Sequence, residues 1–208
     1  MKFDYTLYLV TDRGLMSSKT LPEAVEQAIL GGCTMVQIRE KDISTLEFYK
    51  QAADVKKISD KYNVPLIVND RIDVALAVNA AGVHIGQSDM PAAVAKKIIP
   101  STMLLGVSVS SVREAETAMK DGADYLGVGA MFRTGTKTNA KPVSMEELQK
   151  ICHIAHIPIV VIGGIHKSNA GLFRFSEIDG VAVVSAIISS YDIKKAAAEI
   201  KTAFCGEE

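Results

Sequence analysis

The 208-residue sequence predicts an α/β fold, a single-domain TIM (β/α)8 barrel spanning residues 1–208. Three observations carry this expectation. A short β-branched run, a polar loop and a helical segment recur along the chain, and the runs number eight. The runs are almost continuously apolar, as parallel strands covered on both faces are. The stretches between them place apolar residues at spacings of three and four, as amphipathic helices do. At about 26 residues per unit the barrel is compact. An open doubly wound sheet is the rival arrangement, and even spacing favours closure without proving it.

The strand runs, in order, are TLYLV (6–10), TMVQI (34–38), PLIV (65–68), GVHI (82–85), MLLGV (103–107), DYLGV (124–128), PIVVI (158–162) and GVAVV (180–184). Helices are expected over LPEAVEQAIL (21–30), TLEFYKQAADVKKISDKY (45–62), SVREAETAMK (111–120), MEELQKICHIA (145–155) and IKKAAAEIKTAF (193–204), with a further helical stretch between Asp70 and Asp89. Gly31, Gly82 and Gly122 stand where left-handed helix ends are expected.

Composition narrows the function. The chain is 48% hydrophobic and 23% charged with a formal net charge of -1, an ordinary globular balance. It lacks the basic footprint of a nucleic-acid binder. No run approaches the ~18 apolar residues of a membrane helix, and the start MKFDYTLYLV does not read as a signal peptide. Cys33, Cys152 and Cys205 show neither metal spacing nor a disulfide framework, so a reducing, cytoplasmic compartment is expected. Expected partners are small phosphorylated molecules rather than nucleic acid or membrane, and a homo-oligomer is compatible with the sequence.

A TIM barrel builds its site at the C-terminal ends of its strands. Those ends carry Thr11–Asp12–Arg13, Arg39–Glu40–Lys41, Asn69–Asp70–Arg71, GQSDM with Asp89, SVSS from Ser108, GAMFRTGTKTNA, Gly163–Gly164 and Ser185. Seven ends offer polar side chains and the other offers glycines. Asp70 and Asp89 follow adjacent strands, which lie about 4.8 Å apart. Two acids completed by water and substrate phosphates suit Mg²⁺. The alternative is that Asp70 caps a helix and Asp89 closes a turn before Pro91.

Arg39, Lys41 and Lys137 supply cations to the same rim, as a pyrophosphate requires. Lys41 alone also reads as a solvated loop residue. Lys137 lies in RTGTKTNAK, where Thr134 and Thr136 offer hydroxyls and Gly135 admits close backbone approach. This loop, long and rich in small residues, is the expected mobile element. Gly163, Gly164 and Ser185, at the ends of strands seven and eight, match the phosphate site that recurs in this fold. They also suit a plain glycine turn. His84, inside a strand run, reads as a hydrogen-bonded barrel residue. His153 and His156 lie on or just after the sixth helix, and His166 is the weaker candidate beside the second anion. No Ser-His-Asp or Cys-His pair can be argued.

The stretches YLVTD, VQIREKD, VNDR with DVALA, GVHIGQSDMP, GADYLGVGAMFRTGTK, IGGI and GVAVVSAI together resemble the thiamine-phosphate synthase family, in family order from residue 8 to about residue 187. The resemblance implies a TIM-barrel transferase with Mg²⁺ as cofactor. Such an enzyme joins hydroxymethylpyrimidine pyrophosphate to hydroxyethylthiazole phosphate and releases pyrophosphate. It implies that Gln37, Arg39, Glu40, Lys41, Asn69, Ser108 and Lys137 meet the pyrimidine substrate, with Lys137, Arg39, Lys41 and Ser108 as the catalytic set. It further implies that Asp70 and Asp89 hold the metal and that Thr134, Thr136, Gly164, Val184 and Ser185 hold the thiazole phosphate. Two positions depart from the family pattern: Ser110 stands where His is frequent, and Ala130 where Pro is usual. A related isomerase group, the thiazole tautomerases, uses a His in the Ser110 segment, so its absence weighs against that activity. A generic phosphosugar barrel would leave the acid pair unexplained. A non-catalytic sensor of thiamine precursors on the same fold would bind these ligands and turn nothing over.

Overall fold

A computed structural model describes residues 3–135, 142–174 and 177–206. Eight strands pair in parallel as a closed barrel: β1 (Leu7–Val10), β2 (Met35–Ile38), β3 (Leu66–Asn69), β4 (Gly82–Ile85), β5 (Leu104–Val109), β6 (Tyr125–Gly129), β7 (Ile159–Ile162) and β8 (Gly180–Val183). Closure comes from β1 against β8, with Leu7, Tyr8 and Leu9 opposite Val181, Ala182 and Val183. That pairing removes the open-sheet alternative.

The helices are α1 (Leu21–Leu30), α2 (Thr45–Lys61), α3 (Ile72–Ala77), α4 (Ala92–Ile98), α5 (Val112–Lys120), α6 (Met145–Ile154), α7 (Ser185–Ile188) and α8 (Ile193–Cys205). Between β7 and β8 the described residues form a 3-10 turn, Ala170–Phe173. Four helices begin alike. The hydroxyls of Thr20, Ser44, Ser111 and Ser144 accept the N–H of Glu23, Glu47, Glu114 and Glu147, and each such cap stabilises by about 0.5–2 kcal/mol.

Side-chain alternation splits the core in two. Leu7, Leu9, Leu66 and Val68 point outward to the helices, which bury Phe48, Leu148 and Phe204 against them. Tyr8, Val10, Ile67, Tyr125, Val160 and Ala182 point into the barrel. No helix among the described residues is long and apolar enough to cross a membrane.

Two expected glycine caps are placed differently. Gly31 ends α1 with φ -84°, and Gly32 takes the left-handed turn at φ 101°. Gly82 opens β4 and caps nothing; Asn79 makes the left-handed turn there, at φ 51°. Gly82 is needed for closeness instead, since a Cβ would come within 2.7 Å of Leu104 O. Gly122, at φ 93°, stands as expected.

Candidate active site

Two adjoining cavities open at the C-terminal rim. One, of about 160 Å³, descends into the barrel and is lined by Gln37, Arg39, Asn69 and Ser108, with Tyr8, His84 and Tyr125 beneath. The other, of about 360 Å³, lies over β7 and β8 and is lined by Thr134, Gly164, Val184 and Ser185, together with Arg133, His166 and Asn169. Thr134, Gly163, Ala182 and Val184 border both. The fold thus brings Gln37, Arg39, Asn69 and Ser108 to one space and Thr134, Gly164, Val184 and Ser185 to another that shares a wall with it, while Glu40 and Lys41 line neither.

The second cavity depends on its glycines. Gly163 and Gly164 adopt φ 102° and 66°, and a Cβ on Gly164 would lie 2.8 Å from Arg133 O. Asn169 fixes the turn that follows. Its Nδ2 donates to Gly164 O (2.9 Å) and its Oδ1 accepts from His166 N (2.8 Å). The Gly129–Ala130 peptide bond, at the border with the first cavity, is cis.

The acids meet beside the first cavity. Asp70 and Asp89 line one open groove. Burial pushes the Asp89 carboxyl above the ordinary carboxylate range; Asp70 adds to the rise, and the Gly86 N–H, donating to Asp89 Oδ2 at 2.7 Å, opposes it. Lys41 Nζ stands 2.5 Å from Asp70 Oδ2. Asp70 caps no helix, because α3 starts without a side-chain cap bond; instead its backbone is held left-handed at φ 60°. Two carboxylates on one open groove, one of them paired with Lys41, suit a hard divalent cation. Among the described residues no group of three or more His, Cys, Asp or Glu could hold a metal, so the pair would need water or ligand oxygens to complete the shell.

The cations divide. Arg39 lines the first cavity and is steadied by Asp12, 3.6 Å away. Glu40 turns to Arg13 at 3.2 Å, and its other oxygen, Oε1, is buried with no hydrogen-bond partner among the described residues. Burial raises the Glu40 carboxyl, and Arg13 lowers it. Glu40, expected to meet the pyrimidine substrate, lines neither cavity. Lys137, Thr136 and most of the proposed mobile loop lie outside the described residues. Ser110, where the family often has His, binds Glu114 Oε2 through both its N–H and its hydroxyl, and faces solvent.

Reading the rim alone overlooked the floor. Tyr8 and Tyr125 lie wholly inside, their hydroxyls 2.9 Å apart. Burial pushes both phenols up, so they keep their protons. His84 is hydrogen-bonded, as expected, to Tyr125 and Ser108. The available signal was register: the polar residue in each of LYLV, MVQI, GVHI and YLGVG sits at an inward position. Asn169 carried no comparable pattern.

With this geometry established, similarity to known proteins identifies the family. The model of the family described as thiamine monophosphate synthase matches residues 7–187. The chain is 61% identical over 203 residues to a thiamine-phosphate synthase from Clostridium beijerinckii, covering 98% of this chain and 97% of that protein. It is 62% identical over 203 residues to one from Ruminiclostridium cellulolyticum, with the same coverage. A solved thiamine phosphate pyrophosphorylase from Pyrococcus furiosus superposes with a TM-score of 0.90 at 41% identity, over 97% of this chain and 96% of that one. On this likeness across nearly its whole length, the chain belongs to the thiamine monophosphate synthase family and is an enzyme of the transferase class.

Proposed function

We propose that this enzyme couples hydroxymethylpyrimidine pyrophosphate to hydroxyethylthiazole phosphate, forming thiamine phosphate and pyrophosphate, with Mg²⁺ bound by Asp70 and Asp89. The observation that carries the reading is the shared wall between a barrel cavity lined by Gln37, Arg39 and Ser108 and a second cavity lined by Gly163, Gly164 and Ser185, with the groove of Asp70 and Asp89 beside the first. Two anionic substrates held there would present their reacting ends to one another.

The residues divide the work. Gln37, Asn69 and Ser108 orient the pyrimidine ring. Arg39 and Lys41, with Lys137 from the loop, balance the pyrophosphate charge as it leaves. Bound Mg²⁺ would supply further neutralisation of that charge. Thr134, Thr136, Gly164, Val184 and Ser185 hold the thiazole phosphate through hydroxyls and backbone N–H groups. The thiazole nitrogen lends its electron pair to the pyrimidine methylene carbon. The bond from that carbon to the pyrophosphate oxygen breaks, and its electrons leave with the pyrophosphate. No protein nucleophile takes part, and the protein's main task is alignment.

A coupling assay tests the proposal. Purified protein, both substrates and Mg²⁺ should yield thiamine phosphate, and EDTA should abolish the yield. Folded protein that forms no product would sink it. Isomerisation of the thiazole without coupling would point to the tautomerase reading.

A further inference from the structure

Five side chains from five strands form one hydrogen-bonded chain through the barrel interior. Gln37 Nε2 donates to Tyr8 Oη at 2.8 Å. The hydroxyls of Tyr8 and Tyr125 are 2.9 Å apart. Tyr125 Oη lies 2.9 Å from Nδ1 of His84, and Nε2 of His84 lies 2.8 Å from Ser108 Oγ. Space for this chain is made by glycines. A Cβ on Gly106 would overlap the Tyr125 ring and Nδ1 of His84, and one on Gly127 would stand 2.9 Å from Cε1 of His84.

The direction of each bond follows from counting protons. Tyr8 already accepts from Gln37, so its single proton goes to Tyr125. Tyr125 then donates to Nδ1 of His84. A neutral imidazole has one donor and one acceptor, so His84 carries its proton on Nε2 and donates to Ser108. Every donor along the chain then meets an acceptor. An imidazolium would break this order. Its Nδ1–H would need Tyr125 as acceptor, Tyr125 would turn its proton to Tyr8, and Tyr8, 2% exposed, would find an acceptor along the chain only if the Gln37 amide also turned over.

The two ends are thereby linked. Gln37 keeps Oε1 as an acceptor and Ser108 keeps its hydroxyl proton as a donor, and both side chains line the same cavity. Exchanging these roles requires the Gln37 amide to turn over, both phenols to reverse and His84 to change tautomer together. A partial reversal sets two protons or two lone pairs face to face in a buried site.

We propose that this chain fixes the donor–acceptor polarity of the cavity as one unit. It selects a ring edge that offers an N–H to Gln37 and a ring-nitrogen acceptor to Ser108, as a 4-aminopyrimidine does. It rejects the 4-oxo ring, whose donor and acceptor are exchanged. Tyr8, Tyr125 and His84 are positioning residues in this role, acting through Gln37 and Ser108. The ligand half of the proposal rests on the coupling reaction above; the chain direction does not.

Two measurements test it. Nitrogen-15 NMR of histidine-labelled, ligand-free protein should show His84 as the neutral Nε2–H tautomer. The Nδ1–H tautomer or an imidazolium at neutral pH would overturn the chain direction, whatever the enzyme catalyses. The second measurement compares kcat/KM for hydroxymethylpyrimidine pyrophosphate with that for its 4-oxo analogue, at saturating thiazole phosphate. The wild-type protein should favour the amino ring by about 100-fold or more. Tyr125→Phe and Tyr8→Phe, which keep ring volume, should each shrink that ratio by about tenfold while the KM for thiazole phosphate stays put. Turnover that falls with the ratio unchanged in both variants would reduce the chain to scaffolding and refute the proposal. A wild-type protein without coupling activity would refute the functional reading instead, and the tautomer would still decide the direction.

Discussion

Replacing Gly106 by Ala probes the least forgiving point of the barrel interior. Gly106 pairs with His84 on one side and Tyr125 on the other. The added methyl would overlap the Tyr125 ring and Nδ1 of His84 at once. Neither neighbour has room to yield, because Tyr125 is fully buried between Tyr5 and Tyr8. Overpacking of this kind costs about 1–3 kcal/mol, and separating the Tyr125–His84 hydrogen bond in a buried place adds about 1–3 kcal/mol. The sum, about 2–6 kcal/mol, corresponds to a fall of about 4–24 °C in Tm for a chain of this length. Thermal unfolding followed by circular dichroism is the assay. Gly135→Ala is the control: a Cβ there meets nothing within 4 Å among the described residues, and its stability should stay within about 0.5 kcal/mol. A Gly106→Ala protein that melts with the wild type would show that the interior is looser than the close fit of Gly106, Tyr125 and His84 requires.

Three further outcomes are expected. Asp89→Ala should lower coupling activity by about 100-fold or more at low Mg²⁺, several kcal/mol of charge stabilisation being lost, and should weaken Mg²⁺ binding measured by calorimetry; normal binding would move the metal elsewhere. Ser185→Asp should raise the KM for thiazole phosphate by about tenfold, because a second anion would face the phosphate at the start of α7; an unchanged KM would relocate that phosphate. Glu40 adds a pH dependence. Burial raises its folded-state pKa above the unfolded value of 4.5, so the native state holds the proton more tightly. Below about 4.5 both states are protonated and the group is neutral in effect; as pH rises through the folded-state value the protein loses stability. Glu40→Gln should remove that loss, and urea midpoints of the two proteins across this range should therefore diverge with rising pH. Parallel profiles would show that Arg13 satisfies the carboxylate fully.

Sequence periodicity by itself determined the eight strands and the helices that follow them, except after β7 where the described residues form only a 3-10 turn, because buried parallel strands need apolar side chains on both faces and their helices need one apolar stripe. It also placed Asp70, Asp89, Arg39 and Ser108 on a common rim, since every strand of such a barrel ends on the same face. Only the tertiary structure decided the rest. Closure rests on β1 meeting β8, a pairing between the first and last strands that no local pattern encodes. Glu40 and Lys41 are adjacent in sequence, yet one turns back to Arg13 and the other to Asp70. The Gln37–Tyr8–Tyr125–His84–Ser108 chain joins residues up to 117 positions apart across the barrel. Hydrogen bonds of that reach depend on strand register and on the space left by Gly106 and Gly127, which exist only once the sheet has closed.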